Sequence, residues 1–186
     1  MKRCSRSVIG RSITLAQQRQ SRTTCLNLVE SQCQQKKIVD ADHAGCRLTR
    51  RSHSGVLIFV NRAPIIWFSK RQATVESSTF GSESIAMRQA IDLIEALRYK
   101  LRMMGVPVEE ATKVYGDNES VVNAMTRPEA QLKKKHNAIN FHRCREAIAA
   151  GHIRVAWING TDNLADALTK VTVGERRHYL FSRILW

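Results

Sequence analysis

The sequence predicts an α/β domain built on a five-stranded mixed sheet flanked by helices. Three observations predict it. Short apolar runs alternate with longer helical patterns along the chain. Two of those runs flank a tight turn, as in a hairpin. One long helical pattern then joins that hairpin to a further strand, the arrangement of a crossover connection.

The elements follow in order. Lys36–Ala41 reads as a strand. "SGVLIFVNRAPIIWFSK", residues 54–70, reads as a hairpin: Val56–Val60 and Ile65–Phe68 flank "NRAP", and Pro64 sits where a strand begins. Ser77, Ser78 and Thr79 are capping residues. A helical pattern then runs to Met104, with Ile91, Ile94, Leu97, Leu101 and Met104 spaced by three and four, and Gly105 and Pro107 stop it. Thr112–Tyr115 is a short strand, and Asn118 caps a short helix, Glu119–Met125, that ends before Pro128. His136–Ala150 is helical up to Gly151, and Ile153–Ile158 is a strand. Asp162 or Asn163 starts a last helix, which breaks near Gly174 and resumes to the end. Trp67 and Trp157, on apolar strands, are expected in the core. The first and fourth strands are expected side by side and parallel, joined by a right-handed crossover through the long helix.

At 186 residues and 43% hydrophobic content, the chain suits one domain with a tail. No apolar run approaches the roughly 18–20 residues that span a membrane. A soluble intracellular protein, cytoplasmic or nuclear, is the expectation. The net charge of +14 is unevenly spread. Half of it falls in residues 1–39, whose single acid is Glu30. A basic balance favours a polyanionic partner, nucleic acid foremost. Residues 1–35 are read as a basic, disordered head, and 36–186 as the folded domain. The composition of the head is also that of mitochondrial presequences. Cys4, Cys25, Cys33, Cys46 and Cys144 form no CxxC pair and lack zinc spacing, so free thiols in a reducing compartment are expected.

Ligand sites in such sheets form beyond the carboxyl ends of the strands. Asp40 ends the first strand in "IVDADHAG", and Asp117 follows the fourth in "VYGDN". Glu83 lies early in the long helix and Asp166 in "NLADALTK". Four acids at one rim repel one another and call for a cation. All-oxygen donors suit magnesium, and two ions about 4 Å apart activate water and stabilise the leaving oxygen in phosphodiester cleavage. Singly, each acid also reads as a turn, cap or solvated residue. Asp42 shares a strand face with Asp40, and spacing alone does not choose between them.

The stretches "VDADHAG", "TRRSHSGVLIFVNRAPIIWFSKRQATVESSTFGSESIAM", "EALRYKLRMMGVP", "YGDNESVV", "LKKKHNAINFHRCREAIAAGHIRV" and "TDNLADALTK" resemble, in order and spacing, the ribonuclease H domain of copia-type LTR retrotransposon polyproteins. The resemblance implies a ribonuclease H-like fold. It implies Mg²⁺-dependent cleavage, with two ions and Mn²⁺ as a substitute, of the RNA strand in an RNA–DNA hybrid. It places the four metal-binding acids on Asp40, Glu83, Asp117 and Asp166, and it makes reverse transcriptase the neighbour in the parent polyprotein. Residues 1–35 are too short for a reverse transcriptase, so a fragment, a decayed copy or a stand-alone derivative is expected. The loop "INGTDN", residues 158–163, lacks the His that many ribonucleases H carry, which suggests slower product release. After Lys170 the sequence departs from any firm pattern.

Lys133, Lys134, Lys135 and His136 read either as a phosphate-tracking run or as a solvated one. Arg50, Arg51 and Ser52 are similar candidates for backbone contact. Asn118 reads as a cap or a substrate contact. His136 and His142, six residues apart, lie on different helix faces and read as structural. The alternative function is a non-catalytic nucleic-acid-binding module of the same fold.

Overall fold

The computed structural model describes residues 34–132 and 135–185. The head up to Cys33, together with Lys133, Lys134 and Trp186, lies outside the described residues. The strands are β1 (Gln35–Asp42), β2 (His53–Val60), β3 (Ala63–Arg71), β4 (Thr112–Gly116) and β5 (Ile153–Trp157). The helices are α1 (Thr79–Met103), α2 (Glu119–Thr126), α3 (Ala138–Ala149), α4 (Asp166–Thr169) and α5 (Gly174–Leu185). Short 3₁₀ turns fill Lys135–Asn137 and Gly160–Asp162.

The sheet order is β3-β2-β1-β4-β5. β1, β2 and β3 form an antiparallel meander. β4 then lies parallel to β1, with Ile38 opposite Tyr115, and β5 lies parallel to β4. The expected mixed sheet and the crossover through α1 are both present. The local signals act where the sequence placed them. The Ser78 side chain accepts from Gly81 N at the start of α1, and Asn118 accepts from Val121 N at the start of α2. Gly105 and Gly151 take positive φ (77° and 71°) just past α1 and α3, the backbone region that glycine enters without steric cost.

Alternation along β1 sends its side chains to two cores. Val39 and Ala41 join Ile91, Ile94, Val121, Phe141 and Cys144 under α1, α2 and α3. Ile38 joins Leu57, Phe59, Leu164 and Leu180 on the other face, under α4 and α5. The sheet is therefore sandwiched, and Asp40 lies on the α4–α5 side.

Three expectations are corrected. Trp67 and Trp157 are 61% and 51% exposed rather than core. A strand's apolar run does not reveal which of its faces another element covers, and Trp67 sits on an edge strand. Asp162 and Asn163 start no long helix. The Asn159 side chain accepts from Thr161 N and Asn163 Oδ1 accepts from Ala165 N, which bends this stretch into turns. Only the four residues of α4 follow, and α5 begins at Gly174. His136 belongs to the 3₁₀ turn ahead of α3, not to the helix. Cys46 and Cys144 are free thiols, and among the described residues no helix is long and apolar enough to cross a membrane.

Candidate metal centre

Asp40 and Asp117 lie at the same end of two adjacent parallel strands, each two residues beyond the Ile38–Tyr115 pair. The fifth residue of α1, Glu83, reaches the same rim. One carboxylate oxygen from each of Asp40, Glu83 and Asp117 lies within 4.8 Å of the other two. Asp42, the rival on the same strand face, is outside this group. Its carboxylate folds over the turn, filling the space a side chain at Gly45 would need.

The electrostatics match the crowding. The Glu83 carboxyl is pushed up to about 9, by burial first and then by the charges of Asp40 and Asp117. The Asp40 carboxyl rises to about 6, mainly by burial, while Thr169 and Lys170 hold it down. Without a cation the site therefore retains a proton at neutral pH. Clustered hard oxygen donors that resist joint ionisation are the donor set a Mg²⁺-type ion would satisfy.

Asp166 is not among the three converging acids. It opens α4 and faces two cations: Lys170 Nζ lies 2.6 Å from Asp166 Oδ1, and Arg176 Nη2 lies 3.2 Å from Asp166 Oδ2. Lys170 Nζ also lies 3.6 Å from Asp40 Oδ1, so it bridges the fourth acid to the cluster.

Sequence reasoning passed over three neighbours. Asn163, fully buried, donates from Nδ2 to Asp40 Oδ1 and to the Val39 carbonyl, both at 3.4 Å. The Thr169 hydroxyl donates to Asp40 Oδ2. Gly55, the β2 partner of Asp40, clears the floor: a Cβ there would lie 2.6 Å from Thr169 Cγ2 and 3.1 Å from the Ala165 carbonyl. The block "TDNLADALTK" held the first two of these, but only the fold places them on Asp40. Exposed Trp157 has a role here as well, since its indole Nε1 donates to the Asp117 carbonyl at 2.9 Å.

The expected nucleic-acid contacts divide. Arg50, Lys135 and His136 are exposed, Arg51 half-buried. His136 Nε2 lies 3.4 Å from Glu76 Oε2, and Asn118 caps α2. Ser52 is fully buried and its hydroxyl accepts from Ala44 N at 3.0 Å, so it shapes the β1–β2 turn and is closed to a phosphate. Lys133 and Lys134 lie outside the described residues.

No protein-family model matches the chain. It is 32% identical over 136 residues to a retrovirus-related Pol polyprotein from the transposon TNT 1-94 of Nicotiana tabacum, covering 73% of this chain and 10% of that protein. It is 29% identical over 131 residues to the Pol polyprotein from transposon RE1 of Arabidopsis thaliana, covering 70% and 9%. The match thus spans a tenth or less of each relative. Among solved structures, the N-terminal RNase H domain of a Mycobacterium tuberculosis protein superposes with a TM-score of 0.56 at 13% identity, over 81% of this chain and 97% of that one. An RNase H1 termed LC11, solved with an RNA/DNA hybrid, gives 0.57 at 17% identity, over 73% and 94%. At such identities the structural likeness speaks for the fold alone. Fold and sequence relatives agree, and the chain is a ribonuclease H-fold domain homologous to the Pol polyproteins of copia-type retrotransposons.

Proposed function

We propose that this domain cleaves the RNA strand of RNA–DNA hybrids in a reaction that depends on divalent metal, with Mg²⁺ as the ion and Mn²⁺ as a substitute. The observation that carries the reading is the convergence of Asp40, Glu83 and Asp117 within 4.8 Å at the carboxyl ends of two parallel strands. Asp40, Glu83 and Asp117 would hold one ion, and Asp166 with Asp40 a second. Bound there, the metal would supply the charge that activates a water and stabilises the leaving oxygen of a phosphodiester. Asn163 and Thr169 fix both oxygens of Asp40, and Trp157 holds the backbone of Asp117. Glu83, whose carboxyl burial and the neighbouring acids push up to about 9, would have to give up its proton to hold an ion there.

Arg50, Arg51, Lys135 and His136 are the candidates for the hybrid's phosphates, with Lys133 and Lys134 beside them in sequence. Recognition would rest on A-like shape and on the 2′-OH. The folded unit is residues 36–186 behind a basic head, and in the parent polyprotein its neighbour is reverse transcriptase.

A second reading, a hybrid-binding module that does not cut, is favoured by one observation: Lys170 and Arg176 already neutralise Asp166. A labelled hybrid incubated with the protein, with and without Mg²⁺ and beside Asp117→Asn, separates the two. Metal-dependent cleavage that falls about a hundredfold or more in Asp117→Asn supports the nuclease. Salt-sensitive binding with no cleavage by either protein supports the module.

A further inference from the structure

Asp166 sits on a helix of four residues, too short to hold its own place. Lys170, its nearest cation, belongs to the same segment and would move with it. Through Lys170, Asp166 reaches Asp40 on β1 only at 3.6 Å; the direct side-chain contact from Asp166 to a separate element comes from Arg176, in the first turn of α5. Its guanidinium donates to three acceptors: Asp166 Oδ2 at 3.2 Å, the Gly160 carbonyl at 3.0 Å and the Thr161 carbonyl. Two of these lie in the β5–α4 loop and one on the acid, so a single side chain closes the loop onto α4. A planar fork with five donors suits that task, whereas a lysine ammonium, a point charge, does not hold three divergent acceptors as well.

The clamp is itself seated. Leu180 is fully buried in the second core, with Tyr179 and Ile184 packed beside it. The Tyr179 hydroxyl donates to Asp162 Oδ1 at 3.1 Å, a second tie from α5 to the same loop. The Arg176 and Arg183 guanidinium groups lie 5.7 and 5.2 Å from the Tyr179 ring centre. Helix α5 falls in the stretch where the sequence follows no firm pattern, so nothing before the structure marked Arg176.

We propose that Arg176 is a positioning residue: through it, α5 holds the β5–α4 loop and Asp166 at the edge of the Asp40–Glu83–Asp117 cluster. The consequence for metal rests on the nuclease reading above. With Asp166 held, the weaker of two ions binds at lower concentration; with Asp166 free, it needs more.

The test uses the full chain as wild type, Arg176→Met and Arg176→Lys, with three measurements. Hydrogen exchange on metal-free protein should show faster exchange across residues 158–166 in Arg176→Met, while the strands stay protected and the melting curve stays cooperative. Mn²⁺ titration followed by electron paramagnetic resonance should show the weaker ion's half-saturation rising about tenfold in Arg176→Met, with the tighter ion unchanged. In hybrid cleavage the Mg²⁺ requirement should rise by a similar factor, the maximal rate should return at high Mg²⁺, and Arg176→Lys should fall between. A merely structural role would lower the rate at every Mg²⁺ concentration. Unchanged exchange across 158–166 in Arg176→Met overturns the proposal, and so does loosened exchange with both ions binding as in wild type. Wild type that takes up no Mn²⁺, with the loop still loosened in the variant, sinks the metal reading and leaves the clamp standing.

Discussion

Glu83 carries the site's charge problem in one side chain. Its carboxyl titrates near 9 in the fold against an ordinary 4.5, because burial and two neighbouring acids oppose its charge. Between those values the folded protein binds a proton that the unfolded chain has released, so stability falls as pH rises through that window. Asp40 adds the same slope between 3.8 and about 6. Metal-free Glu83→Gln should therefore lose less melting temperature than wild type between about pH 5 and pH 9, and Mg²⁺ should raise the wild-type melting temperature more at the alkaline end. Parallel pH profiles for the two proteins would contradict this. Lys37 works with the opposite sign. It is fully buried on the α1 face of β1 and donates to the Ala90 carbonyl, and desolvation drives its amine well below 10.5, against a smaller pull from Asp92. The fold excludes a proton that the unfolded chain accepts, so this cost is largest at low pH and fades as pH approaches 10.5. Lys37→Met keeps the stem and removes the amine; urea denaturation at neutral pH should show a gain of about 1 kcal/mol or more, shrinking as pH rises.

At the scale of elements, the contact between α4 and β2 sets the geometry. Asp40 pairs across the sheet with Gly55, and the missing side chain there lets α4 lie directly on β2 with Thr169 on Asp40. Gly55→Val would drive a branched side chain into Thr169 and the Ala165 carbonyl. The expected cost is about 1–3 kcal/mol in denaturant melts, with a larger proportional loss of cleavage, because the displaced helix carries Asp166. The same contact separates what the sequence could reveal from what it could not. Strands β1 to β5 and helices α1 and α2 were legible because caps such as Ser78 and Asn118, stops such as Gly105, and the three-four spacing of Ile91, Ile94 and Leu97 are local signals. Four residues of α4 make no period, and the side-chain turns of Asn159 and Asn163 look in sequence like a helix start. Asp40, Glu83 and Asp117 were legible as a set because two parallel strands and a capped helix bring them to one rim. The partners Asn163 and Thr169 were not, since they lie more than 120 residues from Asp40 along the chain. Trp157 reads as core from its apolar strand, but it ends the edge strand β5, two residues past Val155, the last of that strand packed on the core.

Across the whole molecule, charge and site pull on a nucleic acid in different ways. The net charge of +14 favours any polyanion, while the acid cluster repels phosphate until a cation fills it. Binding and cutting should therefore separate experimentally. Phosphate contacts release counterions, and each contributes roughly 0.7–0.9 to the slope of log affinity against log salt. Arg50 and Lys135 stand exposed and Arg51 half-exposed on elements that carry none of the four acids. The triple variant Arg50→Ala, Arg51→Ala, Lys135→Ala should weaken hybrid binding and flatten the salt slope by roughly one unit for each phosphate that no longer meets a cation, yet take up Mn²⁺ as wild type does. Asp117→Asn should do the reverse, keeping the slope and losing the metal. Fluorescence anisotropy of a labelled hybrid across a salt series, run in chelator so that nothing is cut, measures the first quantity, and Mn²⁺ titration measures the second. If the triple variant keeps the wild-type slope, the basic surface that tracks the hybrid lies elsewhere on the chain, and Lys133, Lys134 and the head become the next positions to neutralise.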